Sequence, residues 1–176
     1  MEFWDVYDEN RQPLGRLHRR GDPAVPGEYY LGADVWVINS KGEILLTLRH
    51  PDKNDLPNEW ENTAGSVLAG ETSLEGALRE LREETGIAAD PDEMVLFYTC
   101  RGENSFANSY LLRRDINIED LVFQEGETCG AMWVTFEKLE EMTAQPTGAR
   151  PVASRWCTRR AELYRLIRGA EAPEMR

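Results

Sequence analysis

With 176 residues, 41% of them hydrophobic and 30% charged, the chain has the size and composition of one globular domain around a single core. Its net charge of −12 excludes a general binder of nucleic-acid backbones, which reward a lysine and arginine surplus, and no apolar run approaches the roughly 20 residues of a membrane span. Three scattered cysteines and two histidines exclude a disulfide framework and a histidine-rich zinc site, and with no leader-like start the protein is expected in the cytoplasm.

Residues 3–20 alternate apolar and polar side chains around Glu9-Asn10-Arg11-Gln12-Pro13, the pattern of a hairpin. The Pro/Gly-rich stretch 22–27 reads as a linker into the main body. Residues 29–38 form a strongly strand-like run, 39–42 a turn, 43–48 a returning strand and 50–58 a polar loop. A helix is predicted over 72–85, with Thr72 or Ser73 as its cap, Glu75 close behind and Gly86 at the left-handed stop. Residues 94–100 and 105–112 follow as a strand hairpin, 131–134 as a short strand, 136–142 as a short helix and 152–168 as a closing amphipathic helix. Together they predict an α/β fold, a mixed sheet with helices on its faces. Tyr30 and Trp36 fall on one face of their strand and are assigned to the core, and the three cysteines are read as packing residues.

On a helical wheel Leu74, Leu78, Leu81 and Thr85 make the expected buried stripe. Glu80, Glu83 and Glu84 gather on the other side, with the small residues Ser73 and Gly76 leaving room beside them. Three carboxylates in one small region repel unless a cation sits among them, and hard divalent ions with oxygen ligands are the natural partner. The spacing alone favours an ordinary solvated face laced by Glu75–Arg79 and Arg79–Glu83 pairs.

The longer pattern decides between these readings. From Gly65 the sequence runs GSVLAGETSLEGALRELREETGI, which resembles a complete Nudix box, with Gly65, Glu71, Arg79, Glu80, Leu81, Glu83, Glu84, Gly86 and Ile87 filling every specified position. A chance match is on the order of 10⁻⁹ per window. The resemblance implies a Nudix α/β/α sandwich over residues 28–170 with an N-terminal β-hairpin extension over 1–27. It implies hydrolysis of a phosphoanhydride bond in a small nucleoside-diphosphate-linked or other diphosphate substrate, with Mg²⁺ or Mn²⁺ as cofactor. Gly65, Glu80, Glu83 and Glu84 match the metal-binding positions, and Glu71 matches the glutamate that pairs with Arg79 and pins the loop to the helix. Glu80 is one candidate base. Glu127, outside the box, is a second candidate, as base or metal ligand, so the catalytic set is Glu80, Glu83 and Glu127.

The wider chain, from about Trp4 to Ile167, resembles the isopentenyl-diphosphate-isomerase-like branch, in which Arg49 and Lys53 align with diphosphate-binding basic residues. The isomerase's catalytic cysteine, however, is here Ala64, and its histidine ligands fall at Tyr30, at about Pro23 and at Ser66. An isoprenoid-diphosphate isomerase and a non-catalytic diphosphate-binding module remain the alternatives. Phe106 and Tyr110 are the candidates for stacking on a base if the substrate is a nucleotide. The hairpin is expected to cover a pocket or to build a homodimer, because added apolar strands need a surface to bury against.

Overall fold

The computed structural model describes residues 1–168, so the expected domain end at 170 lies outside the described residues. Strands β1 (Phe3–Tyr7) and β2 (Pro13–Arg19) form a separate two-stranded antiparallel sheet. The main sheet takes β3 (Tyr30–Ile38), β4 (Ile44–Arg49), β5 (Trp60–Glu61) and β6 (Ala64–Ser66). Helix α1 (Ser73–Thr85) follows, then β7 (Val95–Arg101), β8 (Ser105–Arg113) and β9 (Thr128–Val134) complete the sheet. Helices α2 (Phe136–Thr143) and α3 (Arg150–Arg168) close the fold.

The sheet is mixed: β3 runs parallel to β8, and the other pairings are antiparallel. Strands β3 and β4 pair only at Ile38 and Ile44 and then diverge, β3 joining β6 and β8 while β4 joins β5 and β9. This divergence opens a gap between the two wings, and the cleft described below lies at it.

β3 reads as an almost unbroken apolar run because both of its faces are covered. Leu31, Ala33, Val35 and Val37 pack with Ala77 and Leu81 of α1, whereas Trp36 and Ile38 pack with Phe136 of α2 and Val152, Trp156 and Leu163 of α3. The result is an α/β/α sandwich with Trp36 fully buried. Inside the second layer Asp34 is buried with Arg159: Arg159 Nη2 donates to Asp34 Oδ2 at 3.0 Å, and Trp36 Nε1 donates to Oδ1 at 2.6 Å. Of the cysteines, Cys129 and Cys157 are exposed rather than packed, because their strand and helix turn them outward.

The N-terminal hairpin folds back onto its own chain. Val6 is buried, and the Trp4 and His18 rings lie against Tyr30 with centroids 5.4 and 4.6 Å away. Ala69 N donates to Phe3 O at 2.8 Å, and Gly70 N to Asp5 Oδ2 at 2.8 Å. At the hairpin tip Arg11 Nη2 donates to Asn108 Oδ1 at 3.0 Å.

The buried ion pair gives a test of the packing. Arg159→Met leaves Asp34 charged and without its cation, which costs about 3 kcal/mol, so the thermal unfolding midpoint falls by roughly 10 °C. An unchanged midpoint would show that the pair does not hold α3 to the sheet.

Candidate active site

Helix α1 begins where Thr72 accepts from Glu75 N and the Glu75 carboxylate accepts from Thr72 N, a reciprocal cap that fixes the first turn. It ends at Gly86, whose φ of 74° demands glycine and whose Cα is so close to Val122 that a Cβ would meet it at 2.9 Å. Between these ends the buried face is turned toward the carboxylates. It consists of Gly76, Ala77, Leu81, Glu84 and Thr85, while Leu74 and Leu78 are only partly buried, which corrects the stripe expected from the wheel. The cause is that α1 lies over β3 and β6 at the gap between the wings, so the side carrying Glu84 faces protein.

The three glutamates therefore do not share one environment. Glu83 is exposed, Glu80 largely buried, and Glu84 almost wholly buried, with no hydrogen-bond partner for its Oε2. Burial, with the Glu61 and Glu80 carboxylates nearby, pushes the Glu84 carboxyl up to about 8, against the weaker pull of Arg155 and Lys53. Burial also raises Glu80, opposed by its bond to Arg79.

Arg79 organises the loop before the helix. Its Nε donates to Glu71 Oε1 at 2.8 Å, Nη2 to Glu71 Oε2 at 3.0 Å and to Ser66 O at 2.8 Å, and Nη1 to Glu80 Oε1 at 2.6 Å. Glu83 Oε2 lies 3.2 Å from the same Nη1. Leu68 N also donates to Glu71, so this carboxyl is held below its usual range, first by Arg79. Gly65 lies so close to Glu80 that a side chain there would overlap the carboxylate.

A cleft of about 470 Å³ brings together Gly65, Glu80, Glu83, Glu84, Glu127, Arg49 and Lys53, with Arg79 in its wall. Lys53 is ion-paired with Glu127 across it. Arg49 lines the cleft, but its three guanidinium nitrogens donate to Glu61 Oε1 at 2.6 Å, Leu56 O at 3.0 Å and Asp55 O at 2.8 Å. It thus holds the 50–58 loop, where Leu56 and Asn58 sit at φ of 46° and 56°, a left-handed backbone that is costly for Leu56 and readily taken by an asparagine.

Two groups of expected residues are elsewhere. Phe106 and Tyr110 are buried in the core on the α1 side: Phe106 packs on Tyr29, and the Tyr110 hydroxyl lies 2.7 Å from Ser73 Oγ. They are not available for stacking on a base. Ser73, held by Tyr110 and Asn108, and Gly76, against Val67 and Glu71, are filled packing positions rather than room for a ligand.

The sequence reading missed Glu61, buried and tied to Arg49 and Arg155 beneath Glu84, although a glutamate inside the run Trp60-Glu61-Asn62 just before the box was a usable signal. It also missed Glu2 and Arg20 of the hairpin, which line the cleft and belong to no motif.

Among the described residues no three acidic, histidine or cysteine side chains converge into a ready metal cage. Arg79 accounts for this by drawing Glu80 and Glu83 to itself. The donor set nevertheless fits a hard divalent cation. All its side-chain donors are carboxylate oxygens, one of them is buried without any partner, and the missing side chain of Gly65 lets the Glu80 carboxylate lie directly against the backbone there.

The family model described as the NUDIX domain matches residues 28–156. An uncharacterized Nudix hydrolase of Listeria monocytogenes is 38% identical over 143 residues, covering 81% of this chain and 85% of that protein. An isopentenyl-diphosphate Delta-isomerase of Paenarthrobacter aurescens is 32% identical over 92 residues, covering 52% of this chain and 50% of that one. A crystal structure from Deinococcus radiodurans superposes with a TM-score of 0.75 at 26% identity, covering 90% of this chain and 98% of that one.

Two outcomes follow from this geometry. Gly65→Ala forces the Glu80 carboxylate out of its place, so activity falls at least about tenfold while the chain stays folded; full activity would contradict the close approach. The Glu84 carboxyl moves from an ordinary 4.5 up to about 8 on folding, so the folded state holds its proton more tightly. Its contribution to stability is full below about pH 4.5 and is lost as pH rises through about 8. In chelator-treated protein, Glu84→Gln should flatten the decline in unfolding midpoint across this range; an unaltered profile would contradict the burial.

Proposed function

This chain belongs to the NUDIX domain family and is a Nudix hydrolase, and from that premise we propose that it hydrolyses a small nucleoside-diphosphate-linked or other diphosphate substrate with the help of a divalent cation. Members of the family act on small phosphoanhydride-containing molecules and generally use divalent metal ions. The observation that carries the reading is the buried, partnerless carboxylate of Glu84, set among Glu80, Glu83 and Glu127 in one cleft.

Glu80, Glu83, Glu84 and Glu127, with the carbonyl of Gly65, are the residues that would hold Mg²⁺ or Mn²⁺. Once bound, the ion supplies charge neutralisation of the diphosphate and a lowered pKa for the attacking water. Glu80 or Glu127 would take the proton of the attacking water; burial, which raises its carboxyl, favours Glu80 as the base, whereas Glu127 would first have to part from Lys53. Lys53, released in that exchange, can follow the phosphate. Arg49 contributes by holding the loop that carries Lys53. Glu71, Arg79 and Gly86 keep the loop and helix in register.

Isomerisation is disfavoured on two grounds. Ala64, which lines the cleft, offers no thiol. The positions that match the isomerase's histidine ligands are Tyr30, about Pro23 and Ser66, none of which offers an imidazole. No helix among the described residues is long and apolar enough to cross a membrane, and the small-molecule chemistry suits a cytoplasmic enzyme. Within the hairpin Val6 is buried and Trp4 packs on Tyr30, whereas Phe3, Leu14 and Leu17 stay exposed, a face that a second copy of the chain could cover.

A phosphate-release screen across nucleotide sugars, dinucleotides, modified nucleotides, coenzyme A and prenyl diphosphates identifies the substrate. On it, Glu83→Gln and Glu84→Gln should each lose at least about a hundredfold in turnover, about 2.7 kcal/mol of barrier, while remaining folded. Turnover preserved in both variants would remove the hydrolytic reading of this cleft.

A further inference from the structure

We propose that Arg20, delivered by the N-terminal hairpin, is a substrate-binding residue of the cleft that takes a phosphate oxygen of the diphosphate, with Glu2 holding its guanidinium ready until the substrate arrives. The inference rests on the hydrolase reading above and adds a residue outside the family-matched segment, which begins at residue 28. Glu2 and Arg20 line the cleft alongside Glu80, Glu84 and Glu127.

Their position is set by the backbone. Arg20 N donates to Glu2 O at 3.0 Å, which closes the open end of the hairpin. One and three residues further along the chain, Phe3 O and Asp5 Oδ2 accept from Ala69 N and Gly70 N, just before Glu71 and the helix it pins. The mouth of the hairpin is thereby fastened to the loop that positions the glutamates. Its charges reach the site: Arg20 is raised first by its bond to Glu2, and also by Glu127 and Glu80.

The basic residues of the cleft differ in what holds them. Arg79 is bound by Glu71, Glu80 and Glu83, Lys53 by Glu127, and Arg49 by buried Glu61 and two loop carbonyls, with 22, 19 and 13% of their side chains exposed. Arg20 is 65% exposed, and its partner Glu2, 2.7 Å away, is 43% exposed. An exposed pair of this kind is weak and screened by salt, so a phosphate able to take the planar guanidinium through two oxygens displaces Glu2 readily. The adjacent Arg19 is bound to Asp22 at 2.6 Å, does not line the cleft and serves as the control.

The test is calorimetric titration of the full chain with inorganic pyrophosphate in the presence of magnesium, with unfolding midpoints recorded for each variant. Arg20→Ala should weaken affinity about tenfold and Arg20→Lys by less, both with wild-type midpoints, while Glu2→Gln binds at least as tightly as wild type and Arg19→Ala binds like it. Arg20→Ala within twofold of wild type, or Arg19→Ala falling as far as Arg20→Ala, overturns the assignment. Weaker binding by Glu2→Gln overturns the role given to Glu2. A wild-type chain that binds no pyrophosphate overturns this assignment together with the hydrolase reading, whereas normal wild-type binding with no loss in Arg20→Ala overturns this one alone.

Discussion

A carboxylate enclosed by protein without a partner is costly, by several kcal/mol unless a cation or a proton compensates. Glu84 is in that position, and two neighbouring carboxylates, Glu61 and Glu80, add to the cost rather than relieving it. The surrounding architecture keeps it there. The divergence of β3 and β4 beyond Ile38 and Ile44 makes the gap, α1 is rotated so that Glu84 faces it, and Gly65 gives Glu80 room at its edge. A positive ion brought by the substrate or held beforehand would turn this local liability into binding energy.

Arg79 connects the stability of the site to its chemistry. A single guanidinium ties Glu71, Glu80, Glu83 and the Ser66 carbonyl, so it holds the loop while occupying two carboxylates that a cation would otherwise engage. The same economy appears at Arg49, which fixes a loop containing two left-handed non-glycine residues through its backbone carbonyls. The N-terminal hairpin joins this frame by hydrogen bonds to Ala69 and Gly70, which makes it a wall of the cleft.

Much of the fold was legible because local signals agreed with it. The reciprocal Thr72–Glu75 cap, Gly86 at φ of 74° and the apolar run of β3 each state their structure without help from distant residues. The two-residue strand β5 and three-residue β6 have no periodicity to read, and they exist only by pairing with β4 and β3. The helical wheel misplaced the buried face because it weighed leucines and took a glutamate to be exposed; where Glu84 points is decided by the divergence of two strands. Phe106 and Tyr110 looked free for a ligand because nothing in their own strand announces that α1 lies over them. Arg49 was legible as a basic residue at the cleft but not as one engaged by Glu61, a partner twelve positions away.

The most direct measurement is anomalous scattering from crystals soaked in manganese. The account predicts a manganese peak at the buried carboxylate of Glu84, with Glu80 drawn off Arg79 toward it. Crystals saturated with manganese that show no peak there, with Glu80 and Glu83 still bound to Arg79, would contradict it.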